Sequence, residues 1–167
     1  MLWKGPTMPL RSTALAAAFT IALPAVAQAG QTWTTAFGQG TLQANVTGAG
    51  GSELFLACPA GQEPPLAVLF FEAAAPLAGE VGQAYLVEFR VDDKPMTLVM
   101  ALSQPTILEY PAGEKITFRA LEALSRLLRD GKALAVASPQ LTWSDSYSLK
   151  GSGKALDGLF EGCEPQD

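Results

Sequence analysis

The chain has 167 residues, 49% of them hydrophobic, with eleven Lys and Arg against sixteen Asp and Glu, two cysteines and no histidine. The acidic balance argues against nucleic acid, which rewards clustered Lys and Arg, and against adhesion to anionic lipid. The missing histidine removes the commonest general base, the Ser-His-Asp and Cys-His nucleophile systems and nearly every transition-metal site. Structural zinc needs four ligands, which two cysteines do not supply. No cofactor is expected.

Lys4 and Arg11 make a positive start with no acidic residue beside them. An apolar run from Thr13 to Val26 follows, interrupted by Pro24, and then the small residues Ala25, Ala27 and Ala29. Charge, a short apolar core and an A-x-A site is the signature of a cleaved secretory signal. Cleavage is expected near Ala29, with Ala27 as the alternative. The run is shorter than the roughly 20 apolar residues that span a bilayer, so no stable membrane insertion is expected. Residues 30–167 then form a single β-rich domain. They keep nine basic and all sixteen acidic residues, a net charge of −7. Richness in Ala and Gly, few Ile and a single asparagine, Asn45, suggest a GC-rich bacterial genome, which makes the compartment a periplasm.

In an exported chain, an even cysteine count without C-x-x-C spacing reads first as one structural disulfide, here Cys58 with Cys163. Free thiols are the alternative, and a redox pair would lack the local spacing that lowers a thiol pKa.

Thr41 to Val46 is predicted as a strand, ended by the Gly48-Ala49-Gly50-Gly51 turn, with Ser52 to Cys58 as its hairpin partner. Leu66 to Phe71 is a continuous apolar run of strand length. Residues 73–83, with Pro76, Gly79 and Gly82, read as a loop. Tyr85 to Asp92 alternates with period two, placing Tyr85, Val87, Phe89 and Val91 on one face. Asp92-Asp93-Lys94-Pro95 is turn chemistry, and Met96 to Leu102 resumes an apolar strand. Thr106 to Tyr110 adds a short strand. The period then becomes helical: Leu121, Leu124, Leu127 and Leu128 share a face, and Gly131 supplies the stop. Ala133 to Ala137 and Leu141 to Leu149 form a closing hairpin turned at Ser138-Pro139. A last short helix follows, with Ser152 as its N-cap and Leu156, Leu159, Phe160 and Cys163 on its apolar face. The fold class is α+β: a β-rich antiparallel sheet or sandwich of about seven or eight strands, two short helices and one disulfide.

Candidate chemistry is sparse. Asp92-Asp93 lacks the alternating register of a calcium loop and reads as a hairpin turn. Gly151-Ser152-Gly153-Lys154 resembles a fragment of a phosphate loop, but Ser148 and Ala155 stand where that motif needs Gly and Ser or Thr. A Ser152–Lys154 dyad is conceivable, against a simpler reading of Ser152 as an N-cap and Lys154 as a solvated first-turn residue. Asn45-Val46-Thr47 matches a glycosylation acceptor by coincidence in a bacterial strand. Trp33, Trp143, Tyr85, Tyr110 and Tyr147 supply core and rim packing, or line a groove. The candidate binding surface is Asp92, Asp93, Trp143 and Tyr147.

The closing segment, Tyr147-Ser148-Leu149-Lys150-Gly151-Ser152, then Ala155-Leu156, Leu159 and Cys163, is similar to the terminal signature of small exported proteobacterial proteins. These include the accessory periplasmic proteins of type VI secretion (the VasI/TagO type) and the invasion-associated locus B proteins. Trp33, Cys58 and Cys163 match the tryptophan and cysteines that such chains tend to carry. The resemblance implies a β-rich periplasmic domain that binds another envelope component, and it transfers no catalytic motif. The expected function is therefore a non-enzymatic interaction module for an envelope protein or cell-wall component, including a secretion-system accessory role. The alternatives are an inhibitor of a hydrolase acting through the Asp92-Asp93 loop, and a glycan hydrolase or esterase that works without histidine.

Overall fold

The computed structural model describes residues 31–38, 41–59, 67–163 and 165. The expected signal segment and its cleavage site lie outside them. Nine strands form one antiparallel sheet: β1 (Thr34–Gly38), β2 (Thr41–Thr47), β3 (Glu53–Pro59), β4 (Ala67–Glu72), β5 (Ala84–Val91), β6 (Lys94–Gln104), β7 (Ile107–Ala112), β8 (Ala133–Ser138) and β9 (Trp143–Ser148). Helix α1 (Lys115–Asp130) joins β7 to β8, and a single helical turn, α2 (Ser152–Ala155), follows β9.

The spatial order is β1-β2-β3-β4-β7-β6-β5-β8-β9. The β5–β6–β7 meander is thus inserted in reverse between β4 and β8, which needs two crossings. Residues 73–83 make one at one end of the sheet, and α1 makes the other at the opposite end. The sheet curls until its extremities meet. The Ala49 N–H donates to the Ser146 carbonyl at 2.9 Å and the Trp33 N–H to that of Lys150 at 3.2 Å. Curling leaves one inner face, so the strands that enclose the core alternate. Val87, Phe89 and Val91 of β5, Leu98, Met100 and Leu102 of β6, and Leu54, Leu56 and Cys58 of β3 all point inward and are buried.

Helix α1 covers one mouth of this curled sheet. Phe118, Leu121, Leu124, Ser125 and Leu128 recur at three- and four-residue spacing and are buried. Each buried leucine removes about 2 kcal/mol of apolar surface from water. Thr117 Oγ1 accepts the Glu114 N–H at the helix start, and the Gly131 N–H closes its end on the Leu127 carbonyl. A Cβ on Gly131 would strike Val91 and Leu149, so glycine lets β8 leave the helix close against the sheet. Cys58 and Cys163 are bonded, fixing the tail after α2 to the end of β3 beneath the same mouth.

Three expectations change. The last helix is the single turn Ser152–Ala155, so Leu156, Leu159, Phe160 and Cys163 lie in the turns and tail after it rather than on its face. The ninth strand is β1: Thr34, Thr35, Ala36 and Phe37 are all exposed, so no alternation marks it. Ser152 is the first residue of α2 rather than its N-cap, which is Gly151 at φ 90°. The Ser152 hydroxyl is turned inward, where one proton is shared between the carbonyls of Leu128 and Leu149, both at 2.7 Å. It ties α2 to the end of α1.

Candidate functional site at the loop end

The mouth opposite α1 is built from turns: residues 48–52 between β2 and β3, the 73–83 strap, and a 3-10 turn (Pro139–Leu141) before β9. Three residues of β9 point inward here, by the alternation that pairs Trp143 with Ser138, Asp145 with Val136 and Tyr147 with Leu134. A carboxylate is thereby carried to the interior between two aromatic rings.

Asp145 is held by backbone. Its Oδ1 accepts the N–H of Gly50 and of Ser146, each at 2.7 Å, and its Oδ2 accepts the N–H of Ser52 at 3.1 Å. Bonds to an ionised acceptor are the stronger kind, about 1.5–3 kcal/mol each. The turn can close over the carboxylate because Gly48 and Gly50 lack side chains: a Cβ on Gly48 would lie 2.5 Å from Oδ2, and one on Gly50 would lie 3.1 Å from it. Asp145 thus joins the β2–β3 turn to the far end of the sheet.

Around this clamp, the Trp143 indole N–H reaches Ser52 Oγ at 3.4 Å. Phe71 sits between the rings, 5.4 Å from Trp143 and 6.0 Å from Tyr147. Tyr147 is 1% exposed, and its hydroxyl faces Ser52 and Asp145 without completing a well-formed hydrogen bond. Burial, and secondarily the Asp145 charge, push its phenol far above the ordinary tyrosine range, while Ser52 opposes the shift. Ser138 Oγ is a second buried hydroxyl without a hydrogen-bond partner among the described residues.

Above the clamp is a cleft of about 310 Å³, lined by Gly50, Ser52, the strap residues Ala73–Ala78 and the segment Leu141–Ser144. None of these side chains ionises. The strap is fixed by hydrogen bonds from Ala73 N to Thr106 O, Leu77 N to Pro105 O and Gly82 N to Leu102 O. Gly79 seats it against Leu141 and the Tyr85 hydroxyl, where a Cβ would come within 2.5 and 2.9 Å. One wall is therefore an alanine-rich strap with Pro76 and Leu77, and the other is a half-buried indole beside Leu141.

The sequence-derived candidates fall in different places. Asp92 sits at φ 51°, and its carboxylate folds back to accept the N–H of Ala133 at 3.1 Å and of Lys132 at 3.3 Å. It anchors the β5–β6 turn to the α1–β8 junction, leaving Asp93 as the outward acid. Ala133 and Trp143 lie at opposite ends of the β8–β9 pair, a separation of about 17 Å at the usual strand rise. Asp92-Asp93 and Trp143 therefore do not share a surface, and Tyr147 belongs to the core. Trp33 is buried, with its indole N–H on the Ser148 carbonyl at 3.0 Å. Tyr110 donates to the Thr117 carbonyl, and burial raises its phenol pKa. Ser152 and Lys154 form no dyad, because the Ser152 proton is committed to carbonyls and Lys154 is exposed. A second cleft, of about 390 Å³ beside α1, is lined by Glu122, which pairs with Arg126, by Asp157, which pairs with Arg129, and by Glu161, which is exposed to solvent. Asp145, Ser52 and the strap have no counterpart among the sequence-derived candidates. Their one signal was an acid between two aromatics on the inward register of β9.

The fold defines a class: a disulfide-stapled, curled antiparallel sheet with a helix across one mouth and an uncharged cleft at the other. Residues 31–156 match the family model described as YfjT, and the chain belongs to the YfjT family. Neither a curated protein nor a solved structure matches it.

Proposed function

We propose that this chain is a non-enzymatic interaction module of the bacterial envelope, exported by a signal cleaved near Ala29, which recognises an envelope protein or cell-wall component through the loop-end cleft. The observation that carries the reading is the lining of that cleft: an indole and an alanine-rich strap, with no ionisable side chain, on a floor fixed by the Asp145 clamp. Such a lining offers shape, apolar area and backbone hydrogen bonds, which suit binding. General acid–base chemistry needs a titratable group within hydrogen-bond reach of the substrate. The Cys58–Cys163 bond favours an oxidising compartment. The closing signature from Tyr147 to Cys163, similar to that of small exported proteobacterial proteins, supports the same location and an accessory role in secretion.

The test is capture from envelope extracts by the purified protein and by Ala75→Arg. That change places a long charged side chain in the cleft from an exposed strap position. The reading expects a partner retained by the wild type and lost by the variant, and no turnover of cell-wall substrate by either. Turnover of such a substrate, or equal capture by both proteins, would overturn it.

A further inference from the structure

The outward face of the sheet carries a pattern that neither the core nor the cleft uses. On β3 and β4, Phe55 stands opposite Phe70 and Ala57 opposite Val68. The two phenyl rings stack at 4.4 Å with planes 12° apart. On β5 and β6, Leu86 stands opposite Val99, and they are 51% and 58% exposed. Strand β7 lies between these pairs, with Glu109 opposite Phe70 on one side and Ala101 on the other. Two apolar patches, on β3–β4 and on β6–β5, therefore flank Glu109 of β7 on one outward face.

The fringe of these patches is acidic. Glu53 and Glu72 are directly opposed on the outward register, Glu109 separates the patches and Glu88 lies beside Leu86. Among the described residues none of these four carboxylates makes an ion pair or a side-chain hydrogen bond. Arg90 and Lys94 lie at the helix end of β5 and β6. Like charges directly opposite on a sheet are destabilising, so folding gains nothing from the Glu53–Glu72 pair. Apolar side chains ringed by polar ones mark interaction surfaces. The charges select the occupant. A second copy would bring carboxylates against carboxylates, and anionic lipid would be repelled. A basic partner would be attracted.

We propose that the outward face of β3, β4, β7, β6 and β5 docks a basic protein segment that carries apolar side chains, with Phe55, Phe70, Leu86 and Val99 supplying contact area and Glu53, Glu72 and Glu109 supplying the charge. This surface is distinct from the loop-end cleft and stands or falls without it. The probe is a short synthetic peptide of alternating Arg and Leu, titrated calorimetrically into the purified protein, with a Glu–Leu peptide as control. Binding of the Arg–Leu peptide is expected. It should weaken at least tenfold in Val99→Lys and in Glu72→Lys, weaken as salt rises, and stay unchanged in Ala75→Arg. The substituted positions are exposed, and thermal melts matching the wild type establish that the variants fold. Absent binding, binding insensitive to both substitutions, or equal binding of the Glu–Leu peptide overturns the proposal. So does a wild-type dimer in light scattering that Val99→Lys dissociates, because this face would then be an interface between copies.

Discussion

Replacing Asp145 by asparagine separates the charge of the clamp from its shape. In the native protein, Oδ1 serves Gly50 and Ser146 and Oδ2 serves Ser52, so all three backbone groups donate. An asparagine that keeps its oxygen at the Oδ1 position directs an amide N–H toward the Ser52 N–H, donor against donor, in a buried setting. The flipped amide opposes Gly50 and Ser146 instead and is worse. The better orientation loses one charge-assisted bond, weakens two and orphans a buried donor. Bonds to charged groups contribute about 1.5–3 kcal/mol and an orphaned donor costs about 1–3 kcal/mol, so Asp145→Asn should destabilise by about 2–4 kcal/mol. Asp145→Ala abandons all three donors and should cost about 3–5 kcal/mol. Urea unfolding followed by circular dichroism checks this, with the midpoint falling and the m-value unchanged. The amide resonances of Gly50 and Ser52 should move most in an NMR comparison. A loss under about 0.5 kcal/mol for Asp145→Asn would refute the claim that the carboxylate ties the β2–β3 turn to β9.

Other substitutions probe neighbouring parts of the account. Tyr147→Phe removes a buried hydroxyl without a well-formed partner and should be neutral or stabilising by up to about 2 kcal/mol at pH 7 in denaturant melts. A loss above about 1 kcal/mol would show that the hydroxyl is bonded. The same residue sets an alkaline limit: the unfolded phenol ionises near pH 10 while the folded one stays protonated, so unfolding releases a proton above that pH. Stability should then fall as pH rises beyond 10, by about 1.4 kcal/mol per unit from Tyr147, with a further share from Tyr110. Unfolding midpoints measured across that range should flatten in Tyr147→Phe. Replacing both Cys58 and Cys163 by alanine frees a loop spanning 105 residues and should cost up to about 4–5 kcal/mol, read as a fall in melting temperature matched by the wild type under reductant. Ser152→Ala should cost about 1–2 kcal/mol and raise amide exchange after Leu128, because the hydroxyl bridges α1 to the end of β9.

Much of the fold was legible because burial imposes a period. Val87, Phe89 and Val91 alternate since only one face of a curled sheet is dry, and Leu121, Leu124 and Leu128 follow helical spacing since α1 seals a mouth. The Cys58–Cys163 pairing followed from an even cysteine count read with the expectation of export. Strand β1 escaped because none of Thr34 to Phe37 is buried, so pairing with β2 alone defines it. Ser152 has the residue type of a cap, yet local sequence does not show that Leu128 and Leu149 would place carbonyls beside it. The site was least legible, because Gly50, Ala75 and Trp143 meet through the reversed insertion of β5–β7 and the closure of the sheet. The 73–83 crossing has no periodic signature, and the helical period of α1 does not say which strands it sets side by side. Asp92 and Trp143 both looked like surface contacts in sequence, and the register of β8 with β9 sets them at opposite mouths.

The uncharged cleft at the loop end is the surface proposed to meet the partner of this YfjT-family chain. Hydrogen exchange of the protein alone and with the captured envelope component tests it most directly. Added protection should fall on residues 73–78 and 141–144. Protection confined to the Asp92-Asp93 turn, with those two segments unchanged, would contradict that proposal.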